Sequence, residues 1–167
     1  TGSFKERGAL NFLLSIKPEE KQRGICAASA GNHALALSFY AARLAVPCHI
    51  VMPVNAPLVK VTSTRKTGAN VILFGRTFSE AYEHAQSLAA EKGCPFISAF
   101  DDPLIIAGQG TAGLEICSQL QDFDSVVVPV GGGGLVSGIA IAVNEQLPGV
   151  AIIGAQSPWA VEARSAA

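Results

Sequence analysis

Nothing in this sequence marks a nucleic-acid ligand: the formal net charge is −1 over 167 residues and no run of basic residues occurs. Binding by counterion release therefore has no footprint. Long apolar runs are missing too. Gly, Pro, Ser or a charge interrupts each candidate before the roughly 18 residues a bilayer span needs, so no membrane partner is expected. Residues 1–9 are polar and hold no apolar leader segment. Cysteine is sparse: Cys26, Cys48, Cys94 and Cys117 stand far apart with no Cys-x-x-Cys pair. The first three fall in or beside short apolar runs, where thiols are usually buried. The three histidines, His33, His49 and His84, have no partner at ligand spacing, which argues against a zinc site. This thiol usage suits a reducing cytoplasm.

What is present is core-forming material: 49% of residues are hydrophobic and 15% charged. The length suits one ordinary domain, or two small ones sharing chain segments. Short β-branched runs alternate with helix-length segments, the pattern of βαβ units and a parallel sheet. The runs predict strands at residues 24–29, 47–53, 70–75, 95–99, 125–130 and 150–155. A first helix is expected from Phe4 to Ile16, ending before Pro18. The clearest helix is residues 78–92. Thr77 and Glu80 form a Thr-x-x-Glu capping box, Phe78, Ala81, Tyr82, Ala85 and Leu88 share a face, and Gly93 ends it. The fold class is α/β.

Two strand-to-helix turns stand out, "SAGNHA" at 29–34 and "GGGGLVSG" at 131–138. Both put small residues at the carboxyl end of a strand and the amino end of a helix. Open α/β sheets bind ligands there, and free N–H groups with the helix dipole attract anions. Four consecutive glycines cost about 1 kcal/mol each relative to alanine in a regular element, so such a run implies close approach of the backbone to something. No Gly-Lys-Ser/Thr follows, which excludes a nucleotide P-loop. No acidic residue ends a following strand at the distance a dinucleotide fingerprint needs. Two anion sites would suit a ligand with a phosphate and a carboxylate. Lys5 is the candidate amine to link covalently to its carbonyl, and pyridoxal phosphate with an amino acid is one such pair.

Four motifs, "TGSFKERGA", "SAGNHA", "FDDPLIIAGQGT" and "VGGGGLVSG", resemble in order and spacing those of the serine/threonine dehydratase group of fold-type II pyridoxal-phosphate enzymes, which includes threonine dehydratase and serine racemase. The resemblance implies a tryptophan-synthase-β-like fold: two open, twisted, mostly parallel sheets with flanking helices. It implies that Lys5 carries pyridoxal 5'-phosphate covalently, with Phe4 packed beside the cofactor. Asn32 would contact the pyridine hydroxyl, and Ser29, Ala30, Gly31, Asn32 and His33 would wrap the substrate carboxylate. Gly131, Gly132, Gly133 and Gly134 would hold the cofactor phosphate. The expected reaction is removal of the Cα proton of L-threonine or L-serine by Lys5, loss of the β-hydroxyl, and release of a 2-keto acid and ammonia.

The racemase branch has a second serine where this chain has Ala30. Alanine has no proton to give, and two-base racemisation needs an ionisable group on each face. "FDD" at 100–102 also resembles the threonine dehydratases, although Ser98 and Ala99 stand where those often show His-Pro. Members that bind a divalent cation place an acidic residue where this chain has Gln156. With Glu162 the sole nearby carboxylate, no metal site is expected. His33 reads as packing at a helix start rather than acting directly. Ser29 reads equally as a helix cap or a carboxylate contact, Gln109 and Thr111 as the start of a helix, and His84 and Glu115 as solvated. Trp159 has too little context to interpret.

The resemblance further implies a chain truncated at both ends. Residues 24–98 would form a small mobile domain, and 1–23 with 99–167 the middle of a large cofactor domain. A homo-oligomer, dimer or tetramer, is expected. The competing readings are a folded, non-catalytic fragment of such an enzyme, and a racemase or β-replacement relative.

Overall fold

The computed structural model describes residues 1–157, so Trp159 and Glu162 lie outside the described residues. The chain forms two compact units, Thr1–Ala99 and Phe100–Ala167. In the first unit, helix α1 (Lys5–Ser15) packs on helix α3 (Asn32–Arg43), burying Ala9, Phe12 and Leu13.

In the first unit, β1 (Ile25–Ala28), β2 (Cys48–Met52) and β3 (Asn70–Leu73) form a parallel sheet in that order, with Ile25 opposite Cys48 and His49 opposite Asn70. All of β1 is buried, as suits a strand covered on both faces. Cys26, Ala28 and Val51 meet Ala81, Ala85 and Ala89 of α5 (Phe78–Lys92). Alternation turns Ile25, Ala27 and Ile50 to the opposite face, and no part of them is exposed. Burying an isoleucine in this way contributes roughly 1.5–3 kcal/mol.

The helix boundaries follow local chemistry. Ile16 (ψ 147) and Lys17 (ψ 153) are extended, as the residue before a proline prefers, and α2 (Pro18–Arg23) starts on Pro18. At α5 the capping box is formed: Glu80 N donates to Thr77 Oγ1 at 3.2 Å, and Thr77 N to the Glu80 carboxylate at 3.1 Å. Gly93, left-handed at φ 61, closes that helix. Helix α4 (Leu58–Lys66) links β2 to β3.

In this unit three expectations change. The strand at 95–99 is reduced to one bridge, Cys26 with Phe96. Cys26 N donates to Pro95 O and Ile97 N to Cys26 O, but Pro95 has no N–H to extend the ladder. Phe78 is 48% exposed. It is the first residue of α5, and the alanine row carries the packing instead. His84 is half-buried and stacked on Phe74, ring centroids 3.9 Å apart and 11° from coplanar.

In the second unit, β4 (Ser125–Pro129) and β5 (Ala151–Ala155) form a parallel pair, Ser125 opposite Ala151, between which the chain passes through α7 (Gly134–Gln146). Val128, Ile139 and Val143 are its core, flanked by Phe123, Val126 and Ile152. Helix α6 (Pro103–Gln119) lies so close to α7 that a Cβ on Gly110 would sit 2.9 Å from Gly138 O. Gln109 and Thr111 therefore lie inside α6 rather than at its start, with Gln109 buried. The start belongs to Asp102, whose Oδ1 accepts from Leu104 N at 2.8 Å and Ile105 N at 3.1 Å. Among the described residues, no helix is long and apolar enough to cross a membrane.

Candidate active site

Within the first unit, residues far apart in sequence converge on Lys5. It is the first residue of α1, where the helix dipole would favour an anion. Its half-buried Nζ donates to the Ala99 carbonyl at 2.5 Å and lies 5.3 Å from the centroid of the Phe4 ring. Removal from water pushes the amine's pKa below the ordinary lysine value. Phe4 is 37% exposed, its ring beside the amine.

His33, the second residue of α3, is 3% exposed. Nε2 lies 3.4 Å from Ile97 O, a carbonyl positioned by the Cys26–Phe96 bridge. Its pKa falls to about 4, first because burial disfavours the cation, then because Lys5 is nearby; the Ile97 carbonyl partly opposes this. The ring is neutral at pH 7. With the donor assigned to Nε2, Nδ1 is an acceptor, and among the described residues it has no hydrogen-bond partner. Ser3 Oγ, two residues before Lys5, is likewise buried without a partner. Sequence reasoning gave no role to Ser3, although it lies in the motif "TGSFKERGA", nor to the Ala99 carbonyl, which no sequence signal marks.

The turn 29–34 opens α3. Ser29 N is tied to Val51 O, at the end of β2. Ser29 Oγ accepts from Gly31 N at 3.2 Å and Ala34 N at 3.3 Å, so the hydroxyl caps the turn. Gly31, with open space where a Cβ would lie, and the exposed Asn32 present the helix start to solvent. The first N–H groups of a helix have no intrahelical acceptor. Ala30 is half-buried beside them.

In the second unit, residues 131–133 lead from β4 into Gly134, the first residue of α7. Gly133 holds φ +88, and the helix has no side-chain cap. A Cβ on Gly131 would meet nothing within 4 Å. The loop is thus an uncapped helix start with bare backbone on one side, the chemistry of a phosphate cradle. In the first unit, a half-buried lysine amine with buried Ser3 Oγ and His33 Nδ1, unpartnered among the described residues, fits a ligand bearing a carbonyl; in the second unit, the loop fits a phosphate. An apolar groove of about 450 Å³ runs between α6 and α7. Pro103, Ile106, Leu114 and Ile141 line it, and none of the candidate residues does.

Comparison with known proteins agrees with this chemistry. The family profile described as "Pyridoxal-phosphate dependent enzyme" matches residues 1–166. An L-threonine ammonia-lyase of Thermotoga maritima is 52% identical over 157 residues, covering 94% of this chain and 39% of its own length. The processed form of threonine deaminase isoform 2 from Solanum lycopersicum superposes with TM-score 0.91 at 43% identity, over 95% of this chain and 46% of that one. Serine racemase from Dictyostelium discoideum gives TM-score 0.88 at 38% identity, over 94% and 51%. The chain spans about two fifths to half of the length of the curated relatives it matches.

Proposed function

Because this chain belongs to the family of pyridoxal-phosphate-dependent enzymes, we propose that it is the catalytic part of an ammonia-lyase that converts L-threonine, L-serine or both to a 2-keto acid and ammonia. The observation that carries the reading is Lys5: a half-buried amine, its pKa lowered by desolvation, on the first turn of α1 beside a neutral histidine. An amine must be substantially neutral to act as nucleophile or base.

When bound, pyridoxal phosphate supplies the electron sink for the charge left on Cα. The chain's residues do the rest. Lys5 would hold the cofactor through Nζ, and the same nitrogen would serve as the base for the Cα proton. Ser29, Ala30, Gly31, Asn32 and His33 offer the substrate carboxylate a turn of main-chain N–H groups at a helix start, and Asn32 supplies a side-chain amide to the cofactor's ring oxygen. Gly131, Gly132, Gly133 and Gly134 would cradle the phosphate, and Phe4 would pack beside the cofactor. Ala30 favours dehydration over racemisation, since its methyl can neither donate nor accept a proton on the face opposite Lys5.

The finer assignments belong to the same proposal. Residues 24–98 act as the small mobile domain, and 1–23 with 99–167 as part of the cofactor domain. The unit boundary at Ala99 and Phe100 supports the second junction. The four cysteines are free thiols, which suits work in a reducing cytoplasm; a homo-oligomer, dimer or tetramer, belongs to the same proposal.

Titration with pyridoxal phosphate, borohydride reduction and peptide mapping test the reading. The expected result is stoichiometric label on Lys5, with keto acid released from threonine or serine without a second nucleophile. Label scattered over surface lysines would sink it and leave a folded, non-catalytic stretch. A requirement for a second nucleophile would indicate β-replacement.

A further inference from the structure

The four glycines at 131–134 do not share one reason for lacking a side chain. Gly133 needs its left-handed backbone, at φ +88. Gly131 faces open space. Gly132 and Gly134 face Phe100. A Cβ on Gly132 would overlap the phenyl ring, lying 2.6 Å from Cε1. A Cβ on Gly134 would lie 2.7 Å from the Phe100 carbonyl oxygen and 2.9 Å from its Cα. Phe100 in turn is anchored: two residues on, Asp102 caps α6 through the amides of Leu104 and Ile105.

We propose that Phe100 is a positioning residue for the cofactor phosphate, its ring and carbonyl forming the back wall against which Gly132 and Gly134 lie. The wall fixes the loop's main-chain N–H groups in the arrangement an anion needs before the anion arrives. Binding then does not have to order four glycines, the most flexible residues available. An aromatic ring suits the task because it has few rotatable bonds and fills the space that two missing side chains leave. This inference rests on the reading of the loop as the phosphate site, so the test separates the two.

In the full-length protein, dissociation constants for pyridoxal phosphate and for phosphate-free pyridoxal are measured for Phe100→Ala, Gly132→Ala, the double variant and Gly131→Ala. Amide exchange across residues 131–135 is followed without cofactor. Phe100→Ala is expected to weaken pyridoxal phosphate tenfold or more, leave pyridoxal within twofold, and speed exchange in the loop at least tenfold. A purely structural role would weaken both ligands alike, and that result overturns the proposal. Gly132→Ala is expected to weaken pyridoxal phosphate in the wild-type background yet add less than twofold to Phe100→Ala, because the obstructing ring has gone. Equal losses in both backgrounds overturn the assignment. Phe100→Leu carries the same comparison if the alanine variant does not fold, and Phe100→Tyr, which keeps the ring, should restore the affinity. Gly131→Ala should leave the melting temperature unchanged and weaken pyridoxal phosphate alone. Wild-type affinity there removes the phosphate reading itself, while the Gly132–Phe100 coupling in melting and exchange still reports on the wall.

Discussion

His33 should account for the largest loss of stability as the pH is lowered from about 7 to about 4. In the unfolded chain its pKa is near 6.5; in the folded chain burial, then the Lys5 charge, bring it to about 4. Between those values the unfolded chain binds a proton that the folded one refuses, so stability falls as the pH falls. From 6.5 to about 4 is about 2.5 pH units, which at 1.36 kcal/mol per unit gives about 3 kcal/mol. The limiting slope is about 1.4 kcal/mol per pH unit, and the loss levels off below the folded value. Against a total stability of roughly 5–15 kcal/mol that is a large fraction. The assay is urea denaturation of the cofactor-free, full-length protein between about pH 7 and pH 4, beside His33→Gln, whose amide does not titrate. Glu6, Glu80 and His49, also shifted downward, contribute to both proteins and cancel in the difference. Wild type should lose about 3 kcal/mol more than the variant. Parallel curves would refute the buried, neutral imidazole and with it the environment assigned to Lys5.

Gly138→Ala should destabilise by about 1–3 kcal/mol, since its Cβ would sit 2.6 Å from Gly110 N in the α6–α7 contact; Gly149→Ala, with nothing within 4 Å, should be neutral or raise stability by up to about 1 kcal/mol. Chemical denaturation of both variants checks this, and equal effects would contradict the close helix approach. Asp102→Ala should cost about 0.5–2 kcal/mol through loss of the α6 cap, with Asp102→Asn recovering most of it; a cost that asparagine does not relieve would point away from capping. Ala30→Ser places a proton-bearing group at the position where the racemase branch has its second serine. Chiral chromatography should then detect D-serine formed from L-serine beside the keto acid, and its complete absence would count against the proposed place of residue 30 at the substrate.

Most of the architecture was legible because it rests on local signals. The strands of both sheets are apolar runs, the Thr77–Glu80 box marks its helix, and the extended backbone before Pro18 ends α1. The failures share a cause. Helical periodicity places Phe78 on the right face but cannot say that the first turn of α5 lies beyond the packed alanine row. Apolar content proposes a strand at 95–99 but ignores that Pro95 cannot continue the ladder. The stack of His84 on Phe74 joins a helix to the end of β3, and the bond from Lys5 to the Ala99 carbonyl spans 94 residues. Such pairings arise only from tertiary packing. Lys5 itself was legible from its motif, but the burial that tunes its amine was not.

The tetraglycine run shows why motif and geometry need each other. Composition alone charges the whole entropic cost of four glycines to one cause, close approach by a ligand. Packing divides it: one glycine is required by its own backbone dihedral, two by an aromatic residue some thirty positions upstream, and one by nothing within the protein. A ligand would therefore need to explain only Gly131, where a Cβ meets nothing within 4 Å. The same division explains why a run of four could arise at all. At Gly132, Gly133 and Gly134 a side chain fails even with no ligand bound, through Phe100 or through the left-handed backbone, whereas at Gly131 only a ligand would oppose it.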